Sequence, residues 1–311
     1  QGMQPVSAEA TVVRTYLDVR RLSAQLENVT ANIGYQNRVL EAVSAQFEEG
    51  VASKLDLARI QSQTATTRAL VPDLEAEHDA TRNALALLLG TTPQDVRDHL
   101  PAGHIPQMSG TVVLSQPASV IANRPDVRAA ERQLAAATAN IGVATARWFP
   151  KISLAGLFGL TDSTLLGSYD AWSTSARLAM PLLDFGKVRA LVDQAKAREQ
   201  QALFRYEKAI KAALADVETS LSHHMAAQRR VTIVDEAATA AATAETIARA
   251  QFREGLVSLT DLLDAQRQLL DAQLRAAQAR AQLGQTYAAL YKALGGLPVL
   301  TEAAPLQVGS N

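Results

Sequence analysis

The chain has 311 residues, enough for one large domain or two small ones, and its formal net charge of −1 excludes a general electrostatic attraction to nucleic acid or anionic lipid. Cysteine is absent, which excludes disulfides and thiolate metal sites, and no apolar run reaches the ~18 residues of a transmembrane helix. Hydrophobic residues make up 48% of the chain but aromatic residues only 5%, which favours closely packed, alanine-rich helices over a bulky aromatic core.

The first predicted element is a helical hairpin in residues 1–90. A helix is expected over about residues 8–46, followed by a turn and a return helix that runs to Leu89. Gly50 is expected to end the first helix in the left-handed conformation, which costs glycine least. Helices of this length are typical of a coiled coil.

Residues 91–150 form the predicted connection from this hairpin to a pair of strands. Residues 91–119 are rich in proline, glycine and serine, which indicates an irregular segment. A helix is expected over residues 124–146, because Pro125 suits its first turn and Pro150 stops it.

Residues 151–182 predict a β-hairpin, since apolar and polar side chains alternate over residues 152–160 and again over residues 172–180. The strands are expected to be ~9–11 residues long, the length that crosses a bilayer when a strand is tilted. Aromatic residues near the strand ends fit a girdle at a membrane–water interface: Trp148, Phe149, Tyr169 and Trp172. Periodicity alone equally allows an ordinary soluble hairpin packed on a helix.

Residues 183–297 predict a second, longer helical hairpin. Residues 187–254 contain neither glycine nor proline, so one continuous helix of about 100 Å is expected. Leucine and alanine at steps of three and four then follow over residues 259–294, which indicates a coiled-coil stripe. Residues 298–311 form a C-terminal tail.

The same short sequence occurs at the tips of both hairpins. Residues 47–57, FEEGVASKLDL, recur as residues 252–262, FREGLVSLTDL, at a shift of 205 residues. The shift keeps its register as far as the Leu-Gly pairs at 89–90 and 294–295, which indicates an internal duplication. Each tip is expected to turn on a glycine and to start its return helix at a serine cap: Gly50 and Gly255, Ser53 and Ser258.

Several motifs occur in a characteristic order: NRPDVRAAE, IGVATARWFPKISLAGLFGL, MPLLDFGKVRA, FREGLVSLTDLLDAQRQLL and LYKALGG. Together they resemble the outer-membrane efflux proteins of the TolC family, especially the lipoprotein branch that serves resistance–nodulation–division pumps. The resemblance covers about Thr11 to Gly296. It implies a homotrimeric tube in which each protomer gives four strands to a twelve-stranded outer-membrane barrel and long helices to a periplasmic α-barrel. The expected fold class is mainly α, with long antiparallel coiled-coil hairpins, a short membrane β-hairpin and two repeats offset by 205 residues.

The sequence departs from that family in one respect. Subtracting 205 from the strand positions gives negative numbers, so the first half lacks a β-hairpin of its own. The N-terminal cysteine that the lipoprotein branch acylates is also absent. An N-terminally truncated chain is therefore expected, and its two strands per protomer are not expected to close a normal barrel in a trimer.

The resemblance implies a passive exit duct of a tripartite efflux pump that exports small toxic compounds or drugs. Its expected location is the bacterial outer membrane, from which it projects into the periplasm. The implied partners are two further protomers, a periplasmic adaptor (membrane fusion) protein, an inner-membrane pump of the resistance–nodulation–division type and outer-membrane lipid. Alternatives are a type I secretion duct and a soluble coiled-coil scaffold or adaptor.

The resemblance also assigns roles to three sets of residues. Acidic residues are expected to form rings that favour cations at a closed periplasmic mouth: Asp261, Asp264 and Asp56. Tip residues are expected to contact the adaptor: Gly50, Val51, Ser53, Gly255, Leu256 and Ser258. Arg177 is expected to face the lumen of the barrel. The alternatives are helix caps for Asp56 and Asp261, a stable turn for the tips, and a solvent-exposed strand residue for Arg177.

The sequence contains no catalytic constellation or cofactor motif, so a non-enzymatic role without cofactor, metal or nucleic acid is expected. His223 and His224 are adjacent on a helix and point about 100° apart, whereas a helical metal pair uses i, i+4 spacing. Both histidines are therefore expected to be exposed. Asp184 lies between a strand and a helix, and it is expected to cap that helix.

Overall fold

The computed structural model describes residues 3–100, 103–106, 124–163, 167–180 and 183–296. Within these residues the chain is mainly helical with one two-stranded antiparallel sheet, which confirms the predicted fold class. The elements in chain order are α1 Met3–Glu48, α2 Lys54–Arg68, α3 Leu70–Leu89, α4 Pro93–His99, α5 Pro125–Thr145, a 3-10 turn Ala146–Trp148, β1 Lys151–Ser163, β2 Gly167–Ala179, α6 Lys187–Arg253 and α7 Leu259–Ala293. The predicted tail at 298–311 and part of the irregular segment at 91–119 lie outside the described residues.

The chain forms two compact units, residues 1–121 with 214–311, and residues 122–213. In the first unit, α1 packs against α2, α3 and α7. Gly284 of α7 lies so close to α1 that a β-carbon there would meet Leu17 Cδ1 at 2.6 Å. A larger residue at position 284 would therefore have to displace the buried side chain of Leu17.

The return half of the first hairpin contains two helices where one was predicted. α2 ends at Arg68 and α3 starts at Leu70, with Ala69 between them. Pro72 explains the break, because it has no N–H to donate to the carbonyl of Arg68 and its ring crowds that carbonyl. The second hairpin has no proline in α6 or α7, and α6 is continuous, as predicted.

Helix α4 lies in the segment that composition assigned to irregular structure. The hydroxyl of Thr92 accepts the amide N–H of Asp95 at 3.2 Å, and the Asp95 carboxylate accepts the amide N–H of Thr92 at 3.0 Å. Pro93 occupies the first helical turn, where its missing N–H is harmless. The prediction was wrong for residues 93–99 because the threonine and proline there start a helix.

In the second unit, β1 pairs with β2 so that Ile152 lies opposite Leu178 and Phe158 lies opposite Trp172. Directly paired residues share a face of the sheet, so the apolar faces of the strands coincide, as the alternation predicted. Each strand has 13 residues, more than the ~9–11 expected. The pairing continues beyond the alternating residues into 161–163 and 167–171.

None of the helices in the described ranges is long and apolar enough to cross a membrane.

Candidate functional site

The two hairpin tips have the same backbone structure. Gly50 and Gly255 are both left-handed, with φ of 77° and 73°. Ser53 and Ser258 start the return helices, as predicted. The amide after each glycine donates to a carbonyl five residues earlier: Val51 to Gln46 at 2.8 Å, and Leu256 to Gln251 at 2.9 Å.

Each glycine turn carries an exposed apolar side chain. Val51 is 74% exposed and Leu256 is 68% exposed. The left-handed glycine ends the helix abruptly, so the next residue projects from the tip instead of packing along the helix. Two apolar side chains are thus available to a partner, one on each tip.

The tips lie side by side in the first unit. Arg59 of α2 donates from Nη1 to Thr260 Oγ1 of α7 at 2.9 Å. Beneath this contact, buried apolar residues from three helices form the tip cluster: Val39, Val43, Ile60, Leu259, Leu262 and Leu263. This cluster is the core that holds the two tips together.

The acidic residue of each cap is bonded differently in the two tips. The Ser258 hydroxyl accepts the Asp261 amide N–H at 3.2 Å, and Asp261 Oδ2 accepts the Ser258 amide N–H at 3.1 Å, which completes a capping box. The Ser53 hydroxyl accepts the Asp56 amide N–H at 3.1 Å without the reciprocal bond to its own amide. Hydrogen bonds from the Ser258 hydroxyl and amide lower the pKa of Asp261.

The third predicted gate residue, Asp264, lies on the next turn of α7. Its Oδ1 accepts a hydrogen bond from Arg267 Nη2 at 2.7 Å. Asp56 Oδ1 is 3.8 Å from Arg59 Nη1. An arginine three residues later therefore balances part of the charge of each aspartate. Neither ion pair was predicted, although the i, i+3 spacing of each aspartate and arginine indicates it.

The burial of polar residues on the helices behind the tip cluster was not predicted. Four helices each carry one such buried residue: Gln36 of α1, Thr64 of α2, Glu245 of α6 and Gln266 of α7. Gln36 lies one turn from Val39, and Thr64 lies one turn from Ile60, so spacing alone could have placed them behind the cluster. Gln266 is 1% exposed, and neither of its amide atoms has a hydrogen-bond partner among the described residues.

One of these buried residues, Glu245, belongs to a group of ionic and aromatic side chains. Glu245 is buried and forms an ion pair with Arg249. The guanidinium carbon of Arg249 lies 5.0 Å from the centre of the Tyr35 ring, a cation–π contact. The pKa of Tyr35 is raised, mainly because the side chain is partly buried. The buried carboxylate is thus paired, as a charge at such a position requires.

The prediction that both helix histidines are exposed was wrong for His224. His223 is exposed, but His224 is 3% exposed and its ring centroid lies 5.9 Å from that of Tyr287. Its Nδ1 is 3.2 Å from Thr286 Oγ1. Burial lowers the pKa of His224, because the charged form loses its hydration. Among the described residues no three side chains are grouped to hold a metal ion.

The strand pair places Arg177 opposite Ser153, on the polar face. That placement agrees with the alternation, and the lumenal role of Arg177 stays a prediction. Trp148, Phe149 and Trp172 are exposed, whereas the side chain of Tyr169 lies outside the described residues. Asp184 caps α6, as predicted, because its carboxylate accepts the amide N–H of Val188 at 2.9 Å.

Comparison with known proteins gives a consistent result. The protein family described as "Outer membrane efflux protein" matches residues 4–91 and 117–296. The chain is 30% identical over 289 residues to nodulation protein T of Rhizobium leguminosarum bv. trifolii, covering 91% of this chain and 62% of that protein. It is 35% identical over 291 residues to the pyoverdine export outer membrane protein OpmQ of Pseudomonas putida, covering 92% of this chain and 61% of that protein.

Solved structures of outer-membrane channels are also similar to this chain. The outer-membrane channel OprN is 32% identical with a TM-score of 0.83, covering 95% of this chain and 67% of that channel. The open state of the MtrE outer membrane channel of Neisseria gonorrhoeae is 27% identical with a TM-score of 0.82, covering 94% of this chain and 66% of that channel. The chain spans about three fifths of the length of the curated relatives it matches.

Proposed function

Because the chain belongs to the outer membrane efflux protein family, we propose that it forms part of a passive, trimeric exit duct of a tripartite efflux pump in the outer membrane. The observation that carries this proposal is the pair of adjacent tips, which share one backbone turn and each expose an apolar residue. Such a doubled end fits a partner that also presents repeated contacts. The partners would be a periplasmic adaptor and an inner-membrane pump of the resistance–nodulation–division type.

The names of relatives support export of small toxic compounds as the role. They include a pyoverdine export protein and a toluene efflux protein, both from Pseudomonas putida. Pyoverdine and toluene differ widely in polarity and size. We infer that the duct itself selects weakly, and that the substrate of this chain is set by its pump.

The strand pair and the acidic residues receive roles within this proposal. The 13-residue strands β1 and β2 would contribute to the membrane barrel, with Arg177 on the side that faces the lumen. Asp261, Asp264 and Asp56 would line the periplasmic mouth, where Arg59 and Arg267 reduce their combined charge. The chain would have no catalytic role.

The adaptor contact can be tested at the exposed tip residues of the full-length protein. Leu256→Asp and Val51→Asp should abolish drug efflux in cells that lack their own duct, because a partner surface would have to bury the new charge. Both side chains are exposed, so the trimer should still form. Leu256→Met is the matched control and should retain efflux.

Efflux can be measured as drug resistance, and the trimer by its mass in detergent. Normal resistance in both aspartate variants would contradict the adaptor contact. Loss of the trimer together with resistance would support the alternative that the tip residues only stabilise the turn.

A further inference from the structure

A groove of about 820 Å³ lies between α5 and the first part of α6, within the unit of residues 122–213. One wall is residues 133–147, from α5 and the 3-10 turn after it, and the other wall is residues 191–205 of α6. On each wall the lining residues follow one another mostly at steps of three and four, so each helix turns one face to the groove. The volume falls within the range of about 300–1,000 Å³ that small-molecule sites occupy.

The residues that face the groove are not those of a closed coiled coil. Positions seven residues apart on such a seam are normally apolar, because they pack against the facing helix. Here these positions carry amides, arginines and a single leucine: Gln133, Asn140 and Arg147 on one wall, and Leu191, Arg198 and Arg205 on the other. The lining residues that are buried are all alanine: Ala144, Ala195 and Ala202. Small buried residues and polar walls leave space for a polar ligand.

Three arginines give the groove a positive charge: Arg147, Arg198 and Arg205. Within the described part of the chain none of them forms an ion pair, and none of the described side chains that line the groove is acidic. A guanidinium presents a planar fork of N–H donors that fits a carboxylate or a phosphate. Amide side chains on both walls can donate as well: Gln133, Asn140, Gln194 and Gln201. The groove is therefore suited to a negatively charged ligand.

The three arginines are spread along the length of the groove. The chain enters the strand pair from α5 and leaves it into α6, so Arg147 and Leu191 mark the end of the groove near the strands. Arg198 and Arg205 lie seven and fourteen residues after Leu191 on α6, which places them about 10 Å and 20 Å further along the helix. Intervals of about 10 Å suit a ligand with several acidic groups better than one small anion.

We propose that this groove binds elongated organic anions that carry two acidic groups about 10 Å apart. Each acidic group binds the guanidinium of one arginine, and the part of the ligand between them lies over the alanines. Such a ligand has two overlapping positions, one between Arg147 and Arg198 and one between Arg198 and Arg205, so Arg198 takes part in both. The second contact strengthens binding because the first has already brought it close. The proposal goes beyond the export role and does not depend on the adaptor contact of the tips.

Titration calorimetry of the chain with dicarboxylates of different length tests the proposal. The probe is decanedioate, whose extended chain separates its two carboxylates by about 10 Å, the interval between neighbouring arginines. Butanedioate carries the same charge on a shorter chain, and decanoate has the same length with one carboxylate. We expect decanedioate to bind at least about fivefold more tightly than either control, because only it can contact two arginines at this distance. Added salt should weaken its binding.

Variants of the arginines test the arrangement. Arg198→Gln should weaken decanedioate binding by about tenfold or more, because it removes an arginine from both positions. Arg205→Gln should weaken it by only about twofold, since the position between Arg147 and Arg198 remains. Arg198→Lys should fall between the unmodified chain and Arg198→Gln, because it keeps the charge but loses the planar fork. Lys196→Gln is the matched control: Lys196 is exposed on the same helix, carries the same charge and does not line the groove.

Three results would overturn the proposal: no measurable binding of decanedioate, equal affinity for decanedioate and butanedioate, or equal weakening by Lys196→Gln and Arg198→Gln. The last result would show that the net charge of the unit attracts the ligand without a defined site. Circular dichroism checks that Arg198→Gln keeps its helices, as expected for an exposed side chain. If it does not, the comparison of the two dicarboxylates on the unmodified chain still tests the proposal. None of these results bears on drug efflux through the tips.

Discussion

The two hairpin tips share one turn but differ in how deeply the helices behind them are buried. Leu57 and Leu262 occupy the same place in the repeat, yet Leu57 is half-buried and Leu262 has no exposed surface. In the same way, Gln61 is exposed whereas Gln266 is buried. A glycine and a serine set the turn locally, so both copies keep it. Burial depends on neighbouring helices, and these differ for the two copies.

The duplicated sequence therefore has a surface role in one copy and a core role in the other. The second tip supplies three leucines to the tip cluster, and α7 packs against α1. The first tip supplies Ile60 and is otherwise more exposed. This difference leads to unequal consequences for paired substitutions at positions 205 residues apart.

The largest effect is expected from removal of a leucine at equivalent positions. Leu262→Ala should lower the free energy of unfolding by about 2–5 kcal/mol, because it leaves a cavity in the tip cluster. Leu57→Ala should cost about 1 kcal/mol, since much of that side chain already contacts water. Denaturant unfolding of the two variants measures the difference. Equal losses would show that the two copies are buried to the same extent.

A second pair of equivalent positions is Val19 and His224, both buried. The folded state binds a proton at His224 less readily than the unfolded state, so stability should fall as the pH drops below about 6.5 toward the lowered pKa of the folded state. His224→Val, which introduces the residue of the first copy, should reduce this loss. The pKa of His78 is also lowered by burial, so a smaller dependence of stability on pH should remain in His224→Val.

Thermal unfolding between pH 7 and 5 measures this effect, with His223→Val as the exposed control. An unchanged pH dependence in His224→Val would contradict the assignment. A reduced slope in His223→Val as well would show that the effect does not depend on burial.

The smallest effect is expected at the caps. Asp261→Asn should lower Tm by roughly one or two degrees at neutral pH, and Asp56→Asn by less, because only Asp261 accepts a hydrogen bond from the backbone amide of its serine. The pKa of Asp261 is lowered in the folded state, so its contribution is present above about pH 3.9 and disappears as the pH falls through the lowered value.

Melting curves of both variants at pH 7 and pH 2.5 make the comparison. A Tm drop in Asp261→Asn that persists undiminished at pH 2.5 would be inconsistent with a role of the charged carboxylate as a cap.

Much of the fold could be predicted because its signals are local. Gly50, Gly255, Ser53 and Ser258 determine backbone geometry within a few residues, and the absence of glycine and proline over residues 187–254 allows one long helix. The break at Ala69 was equally local, since Pro72 was visible in the sequence, but it was missed. Helix α4 was not predicted, because Thr92 and Pro93 start a helix but are equally common in irregular segments.

The burial of particular polar residues could not be predicted in the same way. α6 has no continuous apolar stripe, so nothing in its own sequence distinguishes His224 from His223. Only contact with Tyr287 and Thr286 of α7 decides which ring is buried. The exposure of Phe185, which lies between β2 and α6, is a comparable case, because an aromatic residue after a strand is usually expected to pack.

The break at Ala69 has a mechanical consequence. A continuous helix such as α7 resists bending along its whole length, because every turn is hydrogen-bonded to the next. The return arm of the first hairpin lacks one such bond, since Pro72 cannot donate to Arg68. A sideways force on the first tip would therefore bend this arm at one point, about four turns from its start. Helix α7, the return arm of the second hairpin, has no such break and would resist bending under the same force.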